Sequence, residues 1–250
     1  MQPLSIQLAA LFGHYNLIFL AYATLTTLAL AVAGCVIGSV CGLVLALIRF
    51  IKRPWLVPLQ WVIILYTELM RRIPFLVTLF MTLYIIQGFG YTLSFFVIGL
   101  IAVCLISSAY LAEIFRAGFQ SIVPAQIEAA LTLNFTQAQI LTLVVIPQSL
   151  KVILPSAFSF MVSLIKDTAL ASQLGVIELA FAGKLLISRG MSSFLIYGVI
   201  LVLYFLMSYP LSCLGRYLER RLFSESTNLA SHEASADFHN GETAANVTVL

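Results

Sequence analysis

From Met1 to Ile48 the chain carries no Asp, Glu, Lys or Arg, and residues 17–48 are almost wholly apolar. A run of that length exceeds the ~20 residues that cross the hydrocarbon core of a bilayer, so it is expected to span a membrane and to tilt or protrude. Further apolar runs occupy residues 55–86, 91–112, 136–165 and 194–215. Together they predict an all-α integral membrane protein with about five transmembrane helices, its spanning region within 17–221. Composition agrees, with 61% hydrophobic and 9% charged residues, where a soluble domain carries about 25% charged. The formal net charge of +3 is too small to argue for nucleic acid as a partner.

The positive residues set the expected orientation. Arg49, Lys52 and Arg53 follow the first run, and Arg216, Arg220 and Arg221 follow the last. Lys and Arg mark the cytoplasmic ends of spans, which places residues 1–16 outside and the C-terminus in the cytoplasm. The start lacks a basic region followed by a small-residue cleavage site, so no cleavable signal peptide is expected and the first span serves for insertion. Gly34, Gly38 and Gly42 recur every four residues, a pattern that lays a flat seam along one helix face for close approach of another helix. Cys35, Cys41, Cys104 and Cys213 fall inside apolar runs and are expected as buried small hydrophobes. His14, His232 and His239 form no metal-ligand spacing, so no metal site is expected. Residues 222–250 hold four acidic and no basic residues with few large apolar side chains, and are expected as a disordered cytoplasmic tail.

Residues 55–86 would make one straight helix of about 48 Å, against a core of ~30 Å. Inside it lies Glu68-Leu69-Met70-Arg71-Arg72-Ile73-Pro74. Pro74 breaks the hydrogen-bond ladder, and three charges sit where lipid does not accept them. The run is therefore expected as one interrupted element returning outward, its charged bend facing the protein interior. Glu68 and Arg71, three residues apart, share a helix face and suit either a structural ion pair or the two ends of a zwitterion, while Arg72 is expected to point elsewhere.

The second polar interruption is the loop of about 119–136. Pro124 suits the first turn of a helix, residues 125–133 are mostly good helix formers, and Asn134 suits the left-handed stop. Thr136 with Gln139 fits a capping box for the next helix. Glu128 is the single charge of this short helix, whose Ile127, Ala130 and Leu131 share a face. Glu113 and Arg116, just before the loop, form an expected interfacial pair. Pro147 and Pro155 are expected to bend the following span. Lys166 and Asp167 close that span and admit a satisfied local pair, while Glu178, Lys184 and Arg189 form a charged external stretch suited to solvation or to the rim for a partner.

Glu128-Ala129-Ala130 followed by Ile146-Pro147-Gln148 and Leu154-Pro155 resembles the EAA loop of ABC importer permeases of the type I fold. Tyr66, Glu68, Arg71 and Pro74, the stretch from Ala109 to Gly118, and Lys166-Asp167-Thr168-Ala169-Leu170 resemble the polar amino acid branch of that family. The motifs cover residues 17–221 in the family's order. The resemblance implies that Gln126, Glu128, Ala129, Ala130 and Asn134 dock an ABC ATPase and that Glu68, Arg71, Lys166 and Asp167 line the translocation path. It also implies ATP and Mg held by the ATPase partner and none by this chain, an identical or homologous second permease, an extracytoplasmic substrate-binding protein, and residence in a bacterial inner membrane. Three departures stand out: the family usually has Gly at the places of Ala125 and Asn134, and Asn at the place of Ser159.

The chain has no phosphate-binding Gly-x-x-x-x-Gly-Lys-Ser/Thr loop, no catalytic triad context and no metal-ligand cluster, so it reads as a transport subunit and not as an enzyme. Two rivals use the same residues. A secondary transporter or channel acting without an ATPase accommodates charges at a broken span equally well. A membrane scaffold would make those charges purely structural.

Overall fold

A computed structural model describes the backbone of residues 11–51 and 53–247, and side chains as far as Arg221. The described residues are predominantly helical, without a strand. α1 runs His14–Phe50, α2 Val57–Arg72, α3 Phe75–Gly88, α4 Phe95–Gln120 and α5 Pro124–Thr132. A short turn Gln137–Gln139 and a π-helical stretch Ile140–Val145 lead into α6, Ile146–Asp167. α7, Leu179–Ser188, precedes α8, Ser193–Val247. Four stretches are long and apolar enough to cross a membrane, and α2 with α3 forms a fifth, bent by 116°. The five expected spans are present. Lys52 and the tail 222–250, read from sequence as an orientation mark and a disordered segment, lie outside the residues whose side chains are described.

The glycine seam organises the packing. α1 lies along α4 so closely that a Cβ added at Gly38 would stand 2.4 Å from Ser107 Cβ, and one at Gly42 would stand 2.7 Å from the Ala112 backbone nitrogen. The opposite face of α1 exposes Leu25, Val32, Val36, Val40 and Val44. Small residues inside and branched apolar residues outside is the pattern of a helix whose outer solvent is lipid. Of the cysteines only Cys35 is buried; Cys41 is exposed and Cys104 and Cys213 are half-buried, which corrects the expectation that all four are enclosed. Inside apolar runs, helical phase and not composition decides which side chains turn inward.

Proline acts differently at Pro74, Pro147 and Pro155. At the α2–α3 bend, Ile73 and Pro74 both adopt extended backbone, so the ladder stops and the chain turns. Pro147 stands in the first turn of α6, where no N–H is needed, directly after the π-helical stretch. Pro155 is accommodated within α6.

Glu178 overturns its reading as an exposed rim charge. It is fully buried and caps α7, its carboxylate accepting from the backbone N–H of Ala180 at 2.9 Å and Phe181 at 2.7 Å. The Tyr204 hydroxyl of α8 donates to it at 2.9 Å, and the neighbouring Leu179 N–H donates to Thr27 of α1 at 3.1 Å. A carboxylate at a helix N-terminus satisfies donors that the helix leaves open, which is why burial is tolerated here. Lys184 and Arg189 remain exposed, the first donating to Ser172 at 3.2 Å and the second lying over the Phe19 ring at 5.9 Å.

Two predictions follow from this packing. Gly42→Leu should destabilise the purified protein by about 1–3 kcal/mol, since backbone and not a movable side chain blocks the space, whereas Gly198→Ala, where nothing lies within 4 Å, should be neutral in the same thermal-unfolding assay. Burial pushes the Glu178 carboxyl above the usual glutamate range, against the pull of its donors. The folded state therefore binds that proton more readily than the unfolded one, and stability falls as pH rises from the ordinary glutamate range through the raised value. Glu178→Gln should remove this slope from a pH series of melting temperatures.

Candidate coupling and translocation site

The polar residues at the ends of α1, α2 and α4 gather around one carboxylate. Glu113, on the last turns of α4, accepts from Arg116 Nε at 2.8 Å and pairs with Arg116 Nη2 as well. Arg49, at the end of α1, reaches it at 3.4 Å, and Arg71, at the end of α2, at 3.6 Å. Arg116 also donates to Gln120, the last residue of α4. Three elements thus meet on one negative charge, its side chain about one-fifth exposed.

Arg71 differs from its neighbours. Arg49, Arg72 and Arg116 each spend guanidinium donors on a carboxylate, whereas Arg71 makes no side-chain hydrogen bond among the described residues. It stands 4.0 Å from Glu68 and 3.6 Å from Glu113, and its guanidinium lies 5.8 Å from the centre of the Tyr110 ring. Tyr110 stacks on Phe160 of α6 at 5.2 Å and donates its hydroxyl to the Arg71 carbonyl at 3.3 Å. Tyr66, one turn and a half earlier in α2, is fixed by bonds to the Leu105 carbonyl at 2.8 Å and Ser108 at 2.7 Å. Arg71 is therefore a positioned cation with donors open.

Glu68 is held mainly by Arg72, whose Nη2 and Nε donate at 2.7 and 2.9 Å. Arg72 does not point elsewhere; its four-residue spacing brings it back over Glu68, a geometry as available as the three-residue one. Lys166 and Asp167 end α6 with both side chains exposed, six residues and about 9 Å of helix beyond Phe160. No hydrogen bond or ion pair joins them to Glu68 or Arg71, or to each other, among the described residues.

The loop of about 119–136 folds as its residues dictate. α5 begins at Pro124 and ends in a left-handed Asn134, φ 59°. The Phe135 N–H reaches the Ala130 carbonyl at 3.1 Å and the Asn134 N–H the Leu131 carbonyl at 2.9 Å, the paired bonds of a Schellman stop. Asn takes the place of glycine here without loss of the motif. Thr136 and Gln139 form the full capping box. Ala130 is buried and Ile127 packs beside it in a core with Ala46, Phe119 and Ile153. Gln126, Glu128 and Ala129 face outward with Leu131 and Leu133, and no described residue pairs with Glu128. Behind α5 a cavity of about 730 Å³ reaches back to Arg49 and Arg116.

Residues 38–224 match the family model described as binding-protein-dependent transport system inner membrane component. The chain belongs to that family. Among its relatives are the probable glutamine ABC transporter permease protein GlnM of Bacillus subtilis (strain 168), 31% identical over 80% of this chain and 90% of that protein. The L-cystine transport system permease protein TcyB of the same organism is 35% identical over 78% of this chain and 83% of that protein. The solved structure of an amino acid ABC transporter with histidines superposes with a TM-score of 0.76 and 32% identity, covering 83% of this chain and 95% of that one. The inward-facing MetNI methionine ABC transporter shares the fold, with a TM-score of 0.73 at 19% identity over 84% and 99% of the two chains. This inner membrane component is thus a multi-pass permease of the type I importer fold, not a scaffold.

Its sequence singled out Glu68, Arg71 and the residues of α5 but did not bring out Glu113 as a hub shared with Arg49. Glu113 stood inside the stretch that carried the family resemblance, and Arg49 registered only as an orientation mark. Removing Glu113 leaves Arg49 and Arg116 without a carboxylate partner and Arg71 with Glu68 alone at 4.0 Å. Glu113→Ala should therefore lower stability by about 3 kcal/mol, the lower end for breaking a buried pair because the site is partly exposed, and Glu113→Asp should restore part of the loss in thermal unfolding.

Proposed function

We propose that this permease is the membrane-spanning subunit of an ATP-driven importer for a polar amino acid. ABC ATPase subunits, which carry the ATP and Mg, dock on α5; a second permease, identical or homologous, completes the pathway; an extracytoplasmic binding protein delivers the substrate. The N-terminus lies outside and the C-terminus in the cytoplasm, as the arginines after the first and last spans favour.

The observation that supports this best is α5. Ala130 and Ile127 anchor the helix to the ends of α1, α4 and α6, while Glu128 offers an unpaired exposed carboxylate flanked by exposed Leu131 and Leu133. A helix gripped from behind and bare in front transmits a push. ATP binding closes the ATPase pair, α5 follows, and the movement passes through the Phe119–Ile122 segment to Arg116 and its partner Glu113. Arg71, paired with that same carboxylate, receives the substrate carboxylate, with Glu68 beside it for the amino group. Lys166 and Asp167 line the path further out.

Proteoliposomes holding the purified complex test this. Uptake of a radiolabelled amino acid should require ATP and the binding protein, and Glu128→Arg should reduce it by about tenfold or more, equivalent to ~1.4 kcal/mol of coupling, while the complex still assembles. Uptake driven by an ion gradient alone, indifferent to ATP and to Glu128, would overturn the proposal.

A further inference from the structure

The charges at the bend are unbalanced in a way that bears on which substrates fit. Arg49, Arg71, Arg72 and Arg116 face Glu68 and Glu113, an excess of two positive charges. Both oxygens of Glu113 are occupied, one by Arg116 and Arg71, the other by Arg116 and Arg49. One oxygen of Glu68 is taken twice by Arg72. Its other oxygen, 4.0 Å from Arg71, is the one carboxylate oxygen of the cluster that no hydrogen bond occupies.

We propose that this site accepts amino acids with neutral or anionic side chains and rejects cationic ones, and that Arg72 sets this selectivity by masking Glu68. The inference rests on the amino acid reading of the site. A zwitterion's carboxylate meets the open donors of Arg71, and its ammonium takes the remaining oxygen of Glu68. A second cation on the side chain then finds no unspent carboxylate at the bend and faces an excess of guanidinium groups there. Lys166 and Asp167 add one charge of each sign and leave that balance unchanged. Arg72 is 79% exposed, so its removal leaves no cavity and frees Glu68 as an acceptor.

Equilibrium binding of radiolabelled glutamine, glutamate and lysine to the complete complex in nanodiscs, without binding protein, reads the permease site itself. Wild type should bind lysine at least ~tenfold more weakly than glutamine, and Arg72→Ala should narrow that ratio by about tenfold, with Arg72→Lys keeping it wide. A merely structural role for Arg72 would not move a ratio of affinities. Lysine binding as tight as glutamine in wild type, or a ratio unmoved in Arg72→Ala, overturns the inference while leaving the importer reading intact. Wild type that binds none of the three overturns the amino acid reading of the site, and this inference with it.

Discussion

One carboxylate compensates three guanidinium groups drawn from three elements, and the meeting of the ends of α1, α2 and α4 depends on that arrangement. Charges near the hydrocarbon region are costly unless paired, so Arg49, Arg71 and Arg116 need a shared counter-ion as much as it needs them. Glu113 supplies it at the point where α4 leaves the apolar region. The end of α1, the bend after α2 and the approach to α5 are thereby tied to one atom group. Movement of any one of them alters the Coulomb energy of the other two, which is the property a coupling device requires.

Elsewhere the helices are held by shape. Lipid is as apolar as a leucine side chain, so burial of apolar surface does not by itself draw two spans together; close packing does. Gly34, Gly38 and Gly42 let α1 and α4 approach to backbone contact, and this rigid pair forms the frame on which α2 and α6 rest. At the start of α7, Glu178 uses its acceptors on the first turn of that helix and on Tyr204.

α5 exposes a large apolar side chain beside its one charge. Glu128 and Leu131 face outward on α5, with Leu133 just past its end, while Ala130 and Ile127 are gripped from behind. The Schellman stop at Asn134 and the capping box at Thr136 set the angle between α5 and the span that follows. Both are local structures of side chain and backbone, which is why substituting Asn for the usual Gly preserves them.

Local chemistry was therefore legible in sequence, because spans follow from length and apolarity, the bend from Pro74, the seam from the glycine period, and the caps from residue types at fixed offsets. Each depends on neighbours within a few residues or on a repeating helical phase. The pairings were not legible. Whether Glu68 turns to Arg71 or Arg72, whether Glu113 serves one arginine or three, and whether Glu178 meets water or Tyr204 depend on residues tens of positions away that only packing brings together. Cys41 and Cys35 share a composition and differ in exposure for the same reason. Sequence by itself determined that this chain lies in a membrane, where it bends and where a short helix interrupts its spans; tertiary structure alone decided which charges compensate one another, since Coulomb energy depends on distance in space and not on distance along the chain.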